Sequence, residues 1–225
     1  MTRIETVFLF DLDGTLVDSV YQHVLSWQDA LDEVGIPLSV WRIHRKIGMS
    51  GGLFANMLLR ETGIEASPAL LDKLRLGHAA AYRTRADKVR PLPGAEALLA
   101  ALSANGIPWA IATSGRMETA GPIIERLGVD MAKVPVVTRD MVKYAKPDPD
   151  LFLAAADRLG AKIEHSVVVG DAIWDMLAAR RCRALGVGLL SGGYGEDELM
   201  RGGAARVYED PADLLKHLDE VGGRR

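Results

Sequence analysis

The chain has 225 residues, of which 48% are hydrophobic and 25% charged, a balance typical of a folded globular protein. Its formal net charge of −3 gives no reason to expect a nucleic acid or an acidic membrane surface as a partner. The single cysteine, Cys182, excludes an internal disulfide framework, and no segment has the pattern of a signal peptide or a membrane span. We therefore expect a cytoplasmic protein that is a monomer or a weak homodimer.

The first predicted element is a short apolar strand, Val7–Phe10, which runs directly into Asp11-Leu12-Asp13-Gly14-Thr15. In an extended chain, residues i and i+2 point to the same side, so the two carboxylates lie close together. Two such groups repel each other unless a cation or a proton lies between them. The pattern therefore indicates a site for a hard divalent cation and a phosphate.

A helical insert is predicted directly after this acid pair. Val20, Val24, Trp27, Leu31 and Val34 recur at the spacing of an amphipathic helix, and further helical stretches follow at residues 52–61 and 69–83. A rigid, turn-rich segment at residues 90–94 then leads back. We predict an all-helical cap domain at residues 19–89 and a core domain formed by residues 1–18 and 90–225. A domain inserted at the mouth of a site is well placed to act as a lid.

The rest of the chain alternates between short apolar runs and segments of helical spacing. Strands are predicted at residues 109–113, 134–138, 167–170 and 187–190, and helices at 95–102, 123–127, 151–159 and 176–185. This alternation is typical of βαβ units in a parallel sheet. We predict an α/β fold with a Rossmann-like parallel sheet core and the inserted helical cap.

Polar side chains follow each of the first four predicted strands. Beyond the Asp11 and Asp13 pair they are Thr113-Ser114-Gly115, Lys146-Pro147-Asp148, and Asp171 with Asp175. Ligands of open parallel sheets bind outside the carboxyl ends of the strands. A hydroxyl, a lysine and four acids at that edge are the groups that phosphoryl transfer needs.

These four segments together resemble the motifs of the haloacid dehalogenase superfamily of hydrolases. The resemblance is to members with a helical cap inserted after the first motif, a group that includes phosphoglycolate phosphatases and β-phosphoglucomutases. It implies that Asp11 is a nucleophile that forms an aspartyl-phosphate, and that Asp13 is first the general acid and then the general base. It also implies that Lys146 neutralises Asp11 and the transferring group.

The same resemblance implies a Mg²⁺ site and a phosphate site. Mg²⁺ would be held by the Asp11 carboxylate, the Asp13 backbone carbonyl and Asp171, with Asp175 in support. The phosphate would be received by the Thr113 hydroxyl and the amides of Ser114 and Gly115.

Three cap residues are candidates for contact with the rest of the substrate. Arg45 and Lys46 lie in a basic run before a glycine-containing loop, and His23 lies on the polar side of the first cap helix. The alternative for all three is a solvated helix face, which is the more common fate of a charge run.

The function predicted from these residues is a Mg²⁺-dependent phosphatase of a small phosphate monoester, either phosphoglycolate or a sugar phosphate. Asp13 argues against a dehalogenase, which typically lacks the second acid. A phosphomutase is the first alternative, although mutases normally carry an arginine near the position of Gly51. A non-catalytic regulatory protein of the same fold is the other.

Overall fold

The computed structural model describes residues 6–223, and its centre is a six-stranded sheet. The strands are β1 Val7–Phe10, β2 Trp109–Ala112, β3 Val136–Val137, β4 Ser166–Gly170, β5 Leu185–Leu189 and β6 Ala204–Tyr208. Their order is β3-β2-β1-β4-β5-β6, and every neighbouring pair is parallel. The predicted parallel α/β fold is confirmed.

Ten α-helices accompany the sheet in the described part of the chain. Four lie between β1 and β2: α1 Val20–Glu33, α2 Val40–His44, α3 Gly51–Thr62 and α4 Pro68–Arg83. The other six are α5 Ala95–Ala104, α6 Met117–Arg126, α7 Asp150–Arg158, α8 Ile173–Cys182, α9 Glu196–Gly202 and α10 Pro211–Lys216. None of the described helices is both long and apolar enough to cross a membrane.

The central strands are buried on both faces, which explains why they are continuously apolar. Phe8 and Phe10 of β1 join one hydrophobic cluster, whereas Val7 and Leu9 join the cluster on the opposite face. This alternation follows from the two-residue period of a strand. Covering helices on both sides are the usual arrangement for a parallel sheet.

The four helices between β1 and β2 form a hydrophobic cluster of their own, which extends from Val20 to Leu74. The two segments that join them to the sheet run side by side, since Asp18 donates its N–H to the Arg90 carbonyl at 2.8 Å and Leu92 donates to Leu16 at 2.9 Å. This paired crossing agrees with the predicted helical insert. The exact division at residues 18/19 and 89/90 stays a prediction.

Several local predictions differ from the structure. The strand β6 was not predicted, because only its first and last residues are buried and Arg206 interrupts the apolar pattern. Helix α6 begins six residues before the predicted residue 123, because Pro122 lies inside the helix rather than before it. Helix α8 ends at Cys182, and residues up to 185 that were assigned to it lead into β5.

Candidate active site

The site lies where the direction of the strand order changes, between β1 and β4. Asp11 follows β1 and Asp171 follows β4, so the two carboxylates meet at the switch point that binds ligands in open α/β sheets. Gly14 has a φ of +86°, and a Cβ there would lie 2.4 Å from an Asp171 carboxylate oxygen. Only glycine therefore allows the turn after β1 to approach Asp171 so closely.

Three buried carboxylates and one buried ammonium form the centre of the site. Asp11, Asp171 and Asp175 each place an oxygen within 4.8 Å of the other two. The Lys146 side chain is fully buried, donates a hydrogen bond to Asp11 Oδ1, and lies 2.7 Å from Asp175 Oδ1. When all four groups are ionised, the cluster carries two negative charges in excess.

This excess charge perturbs the acids strongly. Burial, together with the charges of Asp175 and Asp13, raises the pKa of Asp11 to about 7 against the lowering effect of Lys146. Burial, together with Asp175 and Asp11, also raises the pKa of Asp171 well above its ordinary value. Despite the cost of burial, the two acids around Lys146 raise its pKa, so it stays charged.

A Mg²⁺ ion fits this cluster on the chemistry of its donors. All three carboxylates supply the hard oxygen ligands that Mg²⁺ prefers, and a dication would cancel the two excess charges. Asp175 Oδ1 is buried without a hydrogen bond from the described residues, although Lys146 lies within ion-pair distance. Thr15 donates to Asp171 Oδ1 at 2.9 Å and holds that carboxylate in place.

Asp13 lies beside the cluster in a different environment. It accepts hydrogen bonds on Oδ1 from Ser19 at 2.5 Å and from His23 Nε2 at 3.1 Å. Burial by itself raises the pKa of Asp13, but the charge and hydrogen bonds from His23 and Ser19 outweigh it and hold the pKa below its ordinary value. Adjacent acids therefore have opposite shifts, which is typical of a pair with separate roles.

His23 is held by a column of stacked rings. Its ring lies 4.0 Å from Tyr82 and 5.3 Å from His78, with Nδ1 of His23 3.1 Å from Nε2 of His78. His78 in turn lies against Trp27 at 4.3 Å, and Trp27 against Phe54 at 4.2 Å. Burial and the nearby His23 hold the pKa of His78 well below its usual range, so His78 is neutral near pH 7.

The loop after β2 faces the acids. Thr113 is buried, and its Oγ1 accepts the N–H of Gly115 at 2.9 Å. The Ser114 hydroxyl is buried without a hydrogen-bond partner among the described residues. The loop thus offers the free Ser114 hydroxyl, which was not predicted, whereas the predicted Gly115 amide is directed to Thr113.

The cap residues fall into two groups. His23 and Lys46 line the same cleft as Asp11 and Asp13, but Lys46 is buried with its Nζ 2.6 Å from Glu61. Arg45 is not among the cleft residues. Its guanidinium donates to Glu198 of α9, at 3.2 Å through Nη1, and lies over the Tyr194 ring at 4.1 Å. The structure thus places Arg45 at a contact with α9 and not in the cleft, and its substrate role stays a prediction.

Several functional neighbours were not predicted. Ser19 lies four residues before His23, a spacing that places both on one face at the start of α1, so this signal was present in the sequence. His78 and Glu61 reach their partners only because α4 packs against α1 and α3 packs against α4, and no spacing in the sequence indicates those contacts.

Comparisons with known proteins agree with this site. The haloacid dehalogenase-like hydrolase family matches residues 6–183. Hexitol phosphatase A of Escherichia coli K12 is 37% identical over 186 residues, which are 80% of this chain and 82% of the relative. A phosphoglycolate phosphatase of Agrobacterium fabrum is 31% identical over 188 residues, covering 82% and 80%.

A solved structure is more similar still. The crystal structure of a hydrolase from Pseudomonas syringae is 58% identical, has a TM-score of 0.94, and covers 96% of this chain and 99% of that one. With the four motifs gathered around Asp11, these matches show that this chain belongs to the haloacid dehalogenase-like hydrolase family.

Proposed function

We propose that this protein is a Mg²⁺-dependent phosphatase that hydrolyses a small phosphate monoester through an aspartyl-phosphate on Asp11. The observation that carries the proposal is the buried cluster of three carboxylates and Lys146 at the strand switch point, which opens to a cleft beside Thr113 and Ser114. Relatives named hexitol phosphatase A and phosphoglycolate phosphatase support the same reaction class.

Asp11 would attack the phosphorus, and the ester oxygen would leave as the alcohol. The Lys146 ammonium, which already contacts Asp11 and Asp175, would balance negative charge on the nucleophile and the transferring group. A Mg²⁺ ion held by Asp11, Asp171 and Asp175, and by the Asp13 carbonyl, would supply electrostatic stabilisation of the phosphoryl oxygens. Thr113 and the free Ser114 hydroxyl would position those oxygens.

Asp13 would carry the proton in both half-reactions. In the free protein, Ser19 and His23 favour its ionised form, which is the form that activates water against the aspartyl-phosphate. The arrival of an anionic phosphate beside Asp13 favours its protonated form, which is the one that protonates the leaving oxygen. The hydrogen bonds from Ser19 and His23 keep the carboxylate oriented throughout.

The experiment is release of p-nitrophenol from p-nitrophenyl phosphate, with Mg²⁺ and with EDTA. The proposal expects Mg²⁺-dependent release that disappears in Asp11→Asn. Equal rates in the wild type and Asp11→Asn would contradict the enzyme proposal and favour a non-catalytic protein. A phosphomutase would instead isomerise a sugar phosphate primed with a trace of bisphosphate, without stoichiometric release of phosphate.

A further inference from the structure

The loop between β5 and α9, residues 190–195, lies against one of the acids of the buried cluster. A Cβ at Gly192 would fall 1.8 Å from Oδ2 of Asp171, so the Gly192 backbone is in direct contact with that carboxylate. The other oxygen, Oδ1, accepts the hydroxyl of Thr15 at 2.9 Å. The position of the loop therefore fixes one side of Asp171, as Thr15 fixes the other.

This loop is anchored both to the core and to the cap. Ser191 donates its hydroxyl to the Gly14 carbonyl at 2.6 Å, which ties the loop to the turn after β1. From the cap, Nε2 of His44, the last residue of α2, lies 2.8 Å from the Gly192 carbonyl. A carbonyl only accepts, so the imidazole donates this hydrogen bond. Of the two anchors, the one from His44 is lost when the cap moves away from the core.

The His44 ring is held firmly at this contact. His44 is buried, stacked on the Tyr21 ring at 5.3 Å and inclined against the Tyr194 ring at 5.8 Å. Gly192, which supplies the acceptor, is buried as well. A buried carbonyl that loses its donor is more costly than an exposed one, because water does not replace the donor. The hydrogen bond therefore holds the loop at a fixed distance from the cap.

The cap also packs directly on the segment that carries the acids. Trp174, which stands between Asp171 and Asp175 in the sequence, packs against the hydrophobic cluster of the cap and against a cluster of the core. Ser50 of the cap donates its N–H to the Lys146 carbonyl at 3.3 Å. Docking of the cap and the arrangement of the buried cluster are therefore joined by packing and by hydrogen bonds.

Building on the proposed Mg²⁺-dependent function, we infer that His44 is a positioning residue for Asp171. Through Gly192, it holds the loop against the carboxylate only while the cap is docked on the core. Docking of the cap therefore raises the affinity of the site for Mg²⁺. By thermodynamic linkage, bound Mg²⁺ strengthens the docking of the cap by the same factor.

The first test is the dissociation constant of Mg²⁺, measured by isothermal titration calorimetry on the free protein without substrate. His44→Phe keeps a ring between the two tyrosines and removes the donor, so the constant should rise at least fivefold. His44→Gln can donate from its side-chain amide and should keep the constant within twofold of the wild type. A rise that is equally large in both variants would reflect lost packing and would contradict the inference.

Glu198→Gln is the matched control. It removes the charge that pairs with Arg45, which is another contact between cap and core, but keeps an acceptor for the Gly195 N–H. The Mg²⁺ dissociation constant should stay within twofold of the wild type. A rise as large as that in His44→Phe would mean that any loosening of the cap weakens the metal site, which would contradict the specific role of His44.

Hydrogen–deuterium exchange of the wild type is a second test that needs no variant. In saturating Mg²⁺, peptides that cover residues 41–52 should exchange at least threefold more slowly than in EDTA. Peptides from α10, which packs on α5 and β6, should exchange at the same rate in both. Equal exchange of residues 41–52 with and without Mg²⁺ would contradict the coupling.

These outcomes are distinguishable from a failure of the function on which the inference rests. If the wild type binds Mg²⁺ and hydrolyses p-nitrophenyl phosphate, but His44→Phe binds Mg²⁺ equally well, the inference is wrong and the phosphatase function stands. If the wild type binds no Mg²⁺, the metal-dependent function and the inference are both wrong.

Discussion

Without a bound cation at the proposed Mg²⁺ site, the stability of this protein should fall as the pH rises. The pKa of Asp11 is about 7 in the folded protein and 3.8 when unfolded, because the carboxylate is buried beside other acids. The folded state therefore binds the proton more tightly, and this stabilisation is lost between about pH 4 and pH 7. Bound Mg²⁺ would favour the ionised carboxylate and remove the effect.

The magnitude follows from the shift. Between pH 5 and about pH 7, a span of about two pH units, Asp11 holds its proton in the folded chain but has lost it in the unfolded chain. At about 1.36 kcal/mol per unit, the free energy of unfolding falls by about 2.7 kcal/mol. With a urea m-value near 3 kcal/mol/M, the denaturation midpoint should move down by about 1 M.

Asp171 acts in the same direction as Asp11, because its pKa is also raised by burial and by the neighbouring acids. The other shifted groups near the site titrate outside this window or in the opposite direction. The lowered pKa of Asp13 acts in acid and the raised pKa of Lys146 in strong base. His78, with its lowered pKa, makes the protein more stable as the pH rises through 6.5. Asp11→Asn retains these groups, so the difference between the wild type and this variant reports the charge of Asp11 together with its effect on Asp171.

The assay is urea denaturation of both proteins at pH 5 and pH 8, in EDTA and in Mg²⁺. The expected result is a fall in EDTA that is larger in the wild type by about 2.7 kcal/mol and disappears in Mg²⁺. Equal pH dependence of the two proteins in EDTA, or a fall that persists in saturating Mg²⁺, would refute the charge imbalance at the cluster.

Three further perturbations test the neighbouring contacts. Asp13→Asn should lower kcat by about 10²–10⁴-fold while the Mg²⁺ activation constant changes little. A Mg²⁺ titration that shows a large change in the activation constant and little change in kcat would contradict the role assigned to Asp13. His78→Phe keeps the stacked ring but removes the hydrogen bond to His23, so kcat should fall by about tenfold with KM unchanged, and His78→Gln should recover part of the loss. A double-mutant cycle on Arg45 and Glu198 should give a coupling of about 1 kcal/mol or less in thermal unfolding, because both side chains are partly exposed; a coupling of several kcal/mol would show that this pair holds the cap.

The core of the site could be predicted from the sequence because its residues follow strands directly. Asp11, Thr113 and Asp171 each stand at the carboxyl end of a buried strand, so parallel pairing alone brings them together. Lys146 is different, since a long connection after β3 separates it from its strand. Only the resemblance to a known motif indicated that it reaches Asp11.

The cap side could not be predicted in the same way. The pairing of Lys46 with Glu61 joins residues of different helical segments, and the contact of Arg45 with Glu198 crosses from cap to core. Both depend on how helices pack, which a local charge pattern does not specify. The same pattern of basic residues therefore fits a substrate contact, a cap–core ion pair and a solvated face equally well.

The most direct test of the central claim is to locate the phosphate during turnover. Asp13→Asn protein should be mixed with Mg²⁺ and p-nitrophenyl phosphate, whose leaving group needs no proton from Asp13. The protein should then be quenched in acid and digested, and its peptides examined by mass spectrometry. The account predicts a phosphorylated peptide in which Asp11 carries the phosphate, and none in the Asp11→Asn, Asp13→Asn double variant. A phosphate on another residue, or single-turnover hydrolysis by Asp13→Asn without any phosphorylated Asp11, would contradict it.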